Sequence, residues 1–201
     1  MFIELTDHLR CPADHDESYL VLLPDQMDGR SVRSGQLGCP VCGRTFQVVD
    51  GIFDTHDAPS ASPDSTIELL DAESVGALVG LSGPGGYLVL VGAVSNASEK
   101  LAEANPGVAL VLVNPSPGTA DSPRVSVLRS GRIPLKTRSM RGVVLSRPYA
   151  DDLNWVREAA RVVLPGLRIV GEGADPPPDV IDLMASAGGV WVGSRGRESR
   201  V

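Results

Sequence analysis

The sequence predicts an α/β protein in which a small N-terminal β unit is followed by a mostly parallel sheet flanked by helices. Only 4% of the 201 residues are aromatic while 42% are hydrophobic. The core must therefore be built from Val, Leu, Ile and Ala, as in buried parallel strands with helices packed on them. All three cysteines, Cys11, Cys39 and Cys42, lie in the first quarter. Beyond residue 66, apolar runs of strand length alternate with segments of helical periodicity, the rhythm of βα units.

Residues 1–57 form the first unit, with short apolar pieces (Tyr19 to Leu23, Phe46 to Val49) set among Gly, Pro and Asp as in a small β ribbon. Residues 58–65, APSASPDS, have the composition of a linker. The second unit covers 66–194. It opens with a helix from Thr66 to Leu81, a Gly-rich turn at 82–86 and the strand Tyr87 to Val91. A short helix near Ser98 to Ala104 follows, then strands Val108 to Val113, Val125 to Leu128 and Gly142 to Leu145. The helix Asp152 to Leu164 is the clearest: Asp151 or Asp152 caps it, Leu153, Val156, Ala160 and Val163 recur at helical spacing, and Pro165-Gly166 stops it. A strand Leu167 to Val170, a helix Pro178 to Ala187 and a strand Val190 to Val192 complete the unit, and 195–201 reads as a polar tail.

The net charge of -7 is uneven, because residues 1–57 hold ten acids against four Lys or Arg. Such a balance argues against broad nucleic-acid affinity, which needs clustered cations. Between Asp121 and Asp151 lie seven basic residues and no acid: Arg124, Arg129, Arg132, Lys136, Arg138, Arg141 and Arg147. They read as a solvated face. The N-terminus lacks a basic start before an apolar stretch, and the longest apolar run, Tyr87 to Val94, is too short to span a bilayer. A cytoplasmic protein with no transmembrane segment is expected.

Cys39-Pro-Val-Cys42-Gly43 places two thiolates so that both sulfurs reach one metal ion. The second pair is Cys11 with either His15 or Asp14. His15 is preferred, since neutral imidazole is the commoner partner of thiolates in closed zinc sites and Asp is a harder ligand. The expected zinc ligands are Cys11, His15, Cys39 and Cys42; the competing reading is a metal-free remnant. Four protein ligands leave no open position for water, so the site is structural. His8 and His56 read as surface residues.

Leu9-Arg10-Cys11-Pro12, Leu37-Gly38-Cys39-Pro40-Val41-Cys42 and Phe46-Gln47-Val48-Val49-Asp50-Gly51-Ile52 together resemble the ribbon that precedes many bacterial methyltransferases. That ribbon is similar to the small Trm112-type proteins, which implies a structural zinc and a docking role. The resemblance expects a Cys where this chain has Asp14-His15.

Trp155 to Val170 is similar to the helix and fifth strand of class I S-adenosylmethionine-dependent methyltransferases, Arg141 to Ser146 resembles their fourth strand, and Ile133-Pro134-Leu135 the segment after their third. The resemblance implies a Rossmann-like sheet over most of 66–194. It also expects a seventh, antiparallel strand after the sixth, which the polar tail does not supply, so the sheet reads as truncated at its C-terminal edge. In the family an acid followed by a triple-glycine loop ends the first strand; here Leu90-Val91-Gly92-Ala93-Val94 keeps only Gly92. Val94 fills space that glycine leaves for the cofactor. Asn114 stands where an acid holds both ribose hydroxyls, and Arg129 or Ser130 stands at the adenine acid. Any cofactor binding therefore falls to Gly92 and Asn114. Ser146-Arg147-Pro148-Tyr149 resembles, weakly, a substrate loop of some members and reads as a helix-initiating turn.

These losses predict a methyltransferase-like pseudoenzyme that does not bind S-adenosylmethionine and serves as a binding or structural subunit of a larger protein assembly. The alternatives are an active methyltransferase with an atypical cofactor loop and, third, a nucleic-acid-binding module.

Overall fold

The computed structural model describes residues 1–59 and 70–196. A short 3-10 helix, Ile3–His8, leads into β1 (Val21–Asp28), β2 (Ser31–Gly38), β3 (Thr45–Val49) and β4 (Ile52–Asp54). Then come α1 (Ala72–Val79), β5 (Tyr87–Val91), a 3-10 turn (Gly92–Ala97), α2 (Ser98–Ala104), β6 (Ala109–Val113), β7 (Val125–Arg129) and β8 (Gly142–Leu145). A second 3-10 turn, Tyr149–Asp151, precedes α3 (Leu153–Val162), β9 (Arg168–Glu172), β10 (Ile181–Ala187) and β11 (Val190–Arg195).

Among the described residues the strands form one eleven-stranded sheet in the order β1-β2-β3-β4-β7-β6-β5-β8-β9-β11-β10. The six strands from β4 to β9 in that order run parallel, and the sheet is antiparallel at both ends. Strand order reverses at β5, from which the chain winds outward first through β6 and β7 and then through β8 and β9. This is the α/β, Rossmann-like arrangement, with its switch point at the carboxyl end of β5.

Successive side chains of β5 point to opposite faces. Val89 and Val91 join a core with Leu5, Leu37, Phe53, Trp155 and Trp191, while Leu88 and Leu90 join one with Val75, Leu101 and Leu110. The first core therefore contains both the N-terminal ribbon and the parallel sheet. Backbone bonds continue the joint: Thr55 N–H donates to Arg129 O at 3.0 Å, Arg10 N–H to Pro134 O at 3.0 Å and Lys136 N–H to His8 O at 2.8 Å.

Several expectations are corrected. The segment expected as a helix, Pro178 to Ala187, contains the strand β10, because Gly188 and Gly189, both at positive φ, turn the chain back in a two-residue hairpin. β11 lies antiparallel between β9 and β10, so an antiparallel strand occupies the edge that was read as truncated. β11 runs to Arg195, the first residue of the expected tail, and 197–201 lie outside the described residues. The helix expected from Thr66 is α1, capped at Ser74 N by Asp71 at 2.8 Å, and residues 66–69 lie outside the described residues. Of the expected linker, so do 60–65. The ribbon strands and the parallel strands share one sheet, through β4 against β7.

The joint contains a buried charge cluster. The Met1 ammonium donates to Asp121 Oδ2 at 2.8 Å, and Arg33 donates to Asp121 Oδ1 at 2.7 Å, with the Asp121 side chain only 4% exposed. Burial pulls the Met1 ammonium pKa below its ordinary value, and the Asp121 carboxylate opposes that pull. Removing the shared carboxylate leaves a buried ammonium uncompensated. Asp121→Ala is expected to lose about 3 kcal/mol of stability, read as a lower denaturant midpoint; an unchanged midpoint would show that the cluster does not hold the joint.

Candidate functional site

The cysteines lie on two turns at one end of the ribbon. Cys11 N–H donates to Ser18 O at 2.9 Å, and in the second turn Cys39 N–H donates to Arg44 O at 2.9 Å and Gly43 N–H to Cys39 O at 3.0 Å. These turns bring Cys11, His15, Cys39 and Cys42 together, with one ligand atom from each within 4.8 Å of the others. Cys11 Sγ is 3.7 Å from Cys42 Sγ, and Cys39 Sγ is 3.4 Å from His15 Nε2. Around a tetrahedral zinc, bond lengths of about 2.3 Å to sulfur and 2.0–2.1 Å to nitrogen give sulfur–sulfur edges of about 3.8 Å and sulfur–nitrogen edges of about 3.6 Å. A disulfide needs sulfurs at about 2.05 Å; the three cysteines are free.

The ligand chemistry agrees with the spacing. His15 Nδ1 lies 2.6 Å from Asp16 O. A carbonyl only accepts, so Nδ1 carries the proton and Nε2 turns its lone pair toward the thiols. Asp14 is exposed and stands outside the cluster. Burial pushes the Cys11 thiol up to about 12. Burial also raises Cys39, but donation from the Cys42 and Val41 backbone and from the Cys42 and Cys11 thiols outweighs it, and its pKa falls to about 6. One thiolate amid neighbouring protons is a set from which a metal displaces protons on binding. The cluster can hold a metal ion such as zinc, and four protein ligands leave no coordination position for a reacting water.

At the switch point Gly92 follows β5 with φ +79°, and a Cβ built there would lie 2.6 Å from Ser146 Oγ and 2.8 Å from the Tyr149 ring. Tyr149 is 8% exposed and packs edge-to-face on Trp155, with centroids 4.6 Å apart. The turn after Gly92 points Val94 and Ser95 inward, both buried, and Leu90 is fully buried. Asn114, at φ +50°, bonds Ser130 through both ends of its amide: Nδ2 donates to Ser130 O at 2.8 Å and Oδ1 accepts from Ser130 N at 2.9 Å. Gly92 and Asn114 thus flank the same switch-point region, one beneath a tyrosine ring and the other locked to a neighbouring loop. Tyr149, read from the sequence only as part of a turn, is the residue sequence reasoning missed; nothing in its local spacing signals that its ring reaches Gly92.

The basic stretch does not form one face. Arg141 donates to the carbonyls of Ser82, Gly83 and Gly85, Arg124 to Pro106 O, Arg147 pairs with Asp151 at 3.5 Å, and Lys136 lies 5.2 Å over the Tyr19 ring. His8, expected on the surface, packs edge-to-face on Tyr87 at 5.0 Å, and burial lowers its pKa. His56 is exposed beside Asp54 at 3.8 Å. Among the described residues no helix is long and apolar enough to cross a membrane.

No protein-family profile and no curated protein matches the sequence. Among solved structures, the chain is similar to a protein assigned as a methyltransferase of an antibiotic-biosynthesis pathway from Anabaena variabilis, at 20% identity over 50% of this chain and 43% of that one, with a TM-score of 0.42. It is similar to the pyocyanin biosynthetic protein PhzM at 16% identity, over 63% and 55% of the two chains, with a TM-score of 0.48. A complex between the Haloferax volcanii methyltransferase activator Trm112 and a protein assigned as a methyltransferase matches at 17% identity over 50% of each chain, with a TM-score of 0.39. The chain spans about half the length of these structures. These three TM-scores lie below 0.5, and the α/β assignment follows from the strand order of this chain itself.

Titration with cobalt(II) or zinc(II) is expected to saturate at one equivalent, cobalt giving the visible absorption of a tetrahedral thiolate site. Cys39→Ser and His15→Ala should each weaken binding by about tenfold or more, while Asp14→Ala leaves it unchanged. Dependence on Asp14 instead of His15 would refute the assignment.

Proposed function

We propose that this chain is a methyltransferase-like protein that has left ordinary methyl transfer and serves as a binding or structural subunit of a larger protein assembly. In this reading Cys11, His15, Cys39 and Cys42 hold a structural zinc that ties the two ribbon turns together. The acidic ribbon, residues 1–57, is the docking unit and 66–194 the Rossmann-like unit. The protein works in the cytoplasm, and nucleic acid is not its partner, since the basic residues of 124–147 are spread and several are bonded within the chain.

One observation carries the reading: the Tyr149 ring stands over Gly92, at the place where a Rossmann-like crevice admits its ligand. A methionine moiety entering there would have to displace a buried tyrosine together with its packing on Trp155. The ribose side is no better provided. A carboxylate makes two charge-assisted bonds to a diol, whereas Asn114 offers a neutral amide with one donor and one acceptor already engaged by Ser130. If the four altered positions, Leu90, Val94, Asn114 and the adenine acid, cost about 1 kcal/mol each, affinity falls by roughly a thousandfold.

The competing reading, an active methyltransferase with an atypical loop, requires Tyr149 to swing out whenever cofactor binds. Isothermal calorimetry separates the two. With the zinc-loaded protein, S-adenosylmethionine and S-adenosylhomocysteine are expected to give no saturable heat below about 1 mM. Stoichiometric binding in the micromolar range would overturn the proposal.

A further inference from the structure

The four members of the Cys/His cluster differ in their surroundings. Cys11 and Cys39 are buried, His15 is half-buried and Cys42 is exposed. Cys39 Sγ lies 3.4 Å from His15 Nε2, whereas Cys42 Sγ lies 3.7 Å from Cys11 Sγ. The sulfur that solvent reaches therefore has a buried sulfur as its neighbour. The two turns are also unequally fixed. The Cys11 turn is tied to the rest of the chain on both flanks, through Arg10 N–H to Pro134 O at 3.0 Å and through Glu17, which accepts from Thr137 N at 3.0 Å and Thr137 Oγ1 at 2.6 Å. Residues 40–43 are exposed, and their turn closes on itself through Gly43 N–H to Cys39 O at 3.0 Å. Cys42 thus sits on the turn with room to move. Closing its sulfur onto that of Cys11, from 3.7 Å to the about 2.05 Å of a disulfide, asks for a shift of this turn and not of the sheet.

We propose that Cys42 is a site of reversible oxidation by hydroperoxides, with Cys11 as its resolving thiol and release of the bound metal as the result. A cysteine responds to peroxide when it is exposed, has thiolate character and lies beside a second thiol. Metal ligation supplies the thiolate character, since a coordinating thiol is deprotonated outright. The Cys42 thiolate attacks one peroxide oxygen and the O–O bond breaks, leaving a Cys42 sulfenic acid and an alkoxide, or hydroxide where the oxidant is hydrogen peroxide. The Cys11 sulfur then attacks the Cys42 sulfur, the S–O bond breaks, and hydroxide leaves as the disulfide forms. The two sulfurs together lose two electrons to the peroxide, and two protons from solvent convert the leaving groups to water, or to water and an alcohol. Two of the four ligands are then spent, and Cys39 with His15 is too small a set to hold a closed tetrahedral site. The new bond joins the same two turns that the metal joined, so the ribbon keeps its closure. The inference rests on the reading above, in which these four residues hold a structural zinc, and it adds a regulation to that site.

The test treats the zinc-loaded full chain with hydrogen peroxide and follows it with a chromophoric zinc chelator and by peptide mapping with fragment-ion mass spectrometry. Zinc release is expected in step with one disulfide per chain, between Cys11 and Cys42, and a dithiol reductant followed by fresh zinc should restore the starting form. Cys42→Ser should slow oxidation of the remaining thiols by about tenfold or more, and Cys11→Ser should leave a Cys42 sulfenic acid that a dimedone probe traps. Where either variant fails to load zinc, the disulfide map of the unaltered chain decides. Zinc retained through the treatment, zinc released with Cys39 in the disulfide, or zinc released with Cys42 carried on to sulfinic acid and no disulfide would each overturn the inference and leave the proposed function standing. Failure of the untreated chain to bind zinc would overturn both this inference and the zinc site of the proposed function.

Discussion

The parallel pairing of β4 with β7 is the contact on which the rest of the molecule depends. Three register pairs, Ile52 with Val127, Phe53 with Leu128 and Asp54 with Arg129, convert a ribbon and a parallel sheet into one sheet. Without them β7 would be an edge strand with an open row of backbone donors and acceptors. The ribbon would meanwhile be a unit of fewer than 60 residues, only marginally stabilised by its own core. Pairing lets Leu9, Leu37, Phe46 and Phe53 share a core with Val89, Leu128 and Trp155. The cluster of Met1, Arg33 and Asp121 fastens the same joint from below. Glu17 adds a further tie, accepting from Thr137 N and Oγ1 at 3.0 and 2.6 Å.

That joint divides the labour of the molecule. The Cys/His cluster lies where two ribbon turns meet, beside a β1 that is mostly exposed. At the switch point the sheet keeps the geometry of a ligand-binding crevice while Tyr149 fills the part over Gly92. The space left open is the part bordered by the ribbon. The open part is lined by Arg129, Pro115, Pro117 and, from β4, Asp54.

Much of the architecture was legible because it rests on local patterns. The βα rhythm located β5 through β9, and the Asp152 cap with apolar residues at helical spacing placed α3 to within two residues at each end. The Cys-x-x-Cys turn with Cys11 and His15 pointed to the four residues that come together. What escaped depended on partners distant in sequence. β10 has no strand-like alternation, and its conformation follows from β11 occupying the slot beside β9; the Gly188-Gly189 pair was the available signal. β2, SVRSGQLG, is too polar to announce a strand and is held by neighbours on both sides. β4 is three residues long, and no local pattern says that it will pair with residues seventy-five positions away. At the crevice the sequence showed which groups were altered, but not that a tyrosine would stand over the remaining glycine.

The central claim, that ribbon and sheet are one cooperative structure joined at β4 and β7, is tested most directly by native-state hydrogen exchange. The amides of Phe53, Thr55 and Asn114 should open only with the global unfolding that exposes β5, at the same free energy. Exchange of the β4 and Thr55 amides through a lower-energy opening that leaves β5 and β6 protected would contradict it, showing a ribbon that detaches from an independently stable sheet.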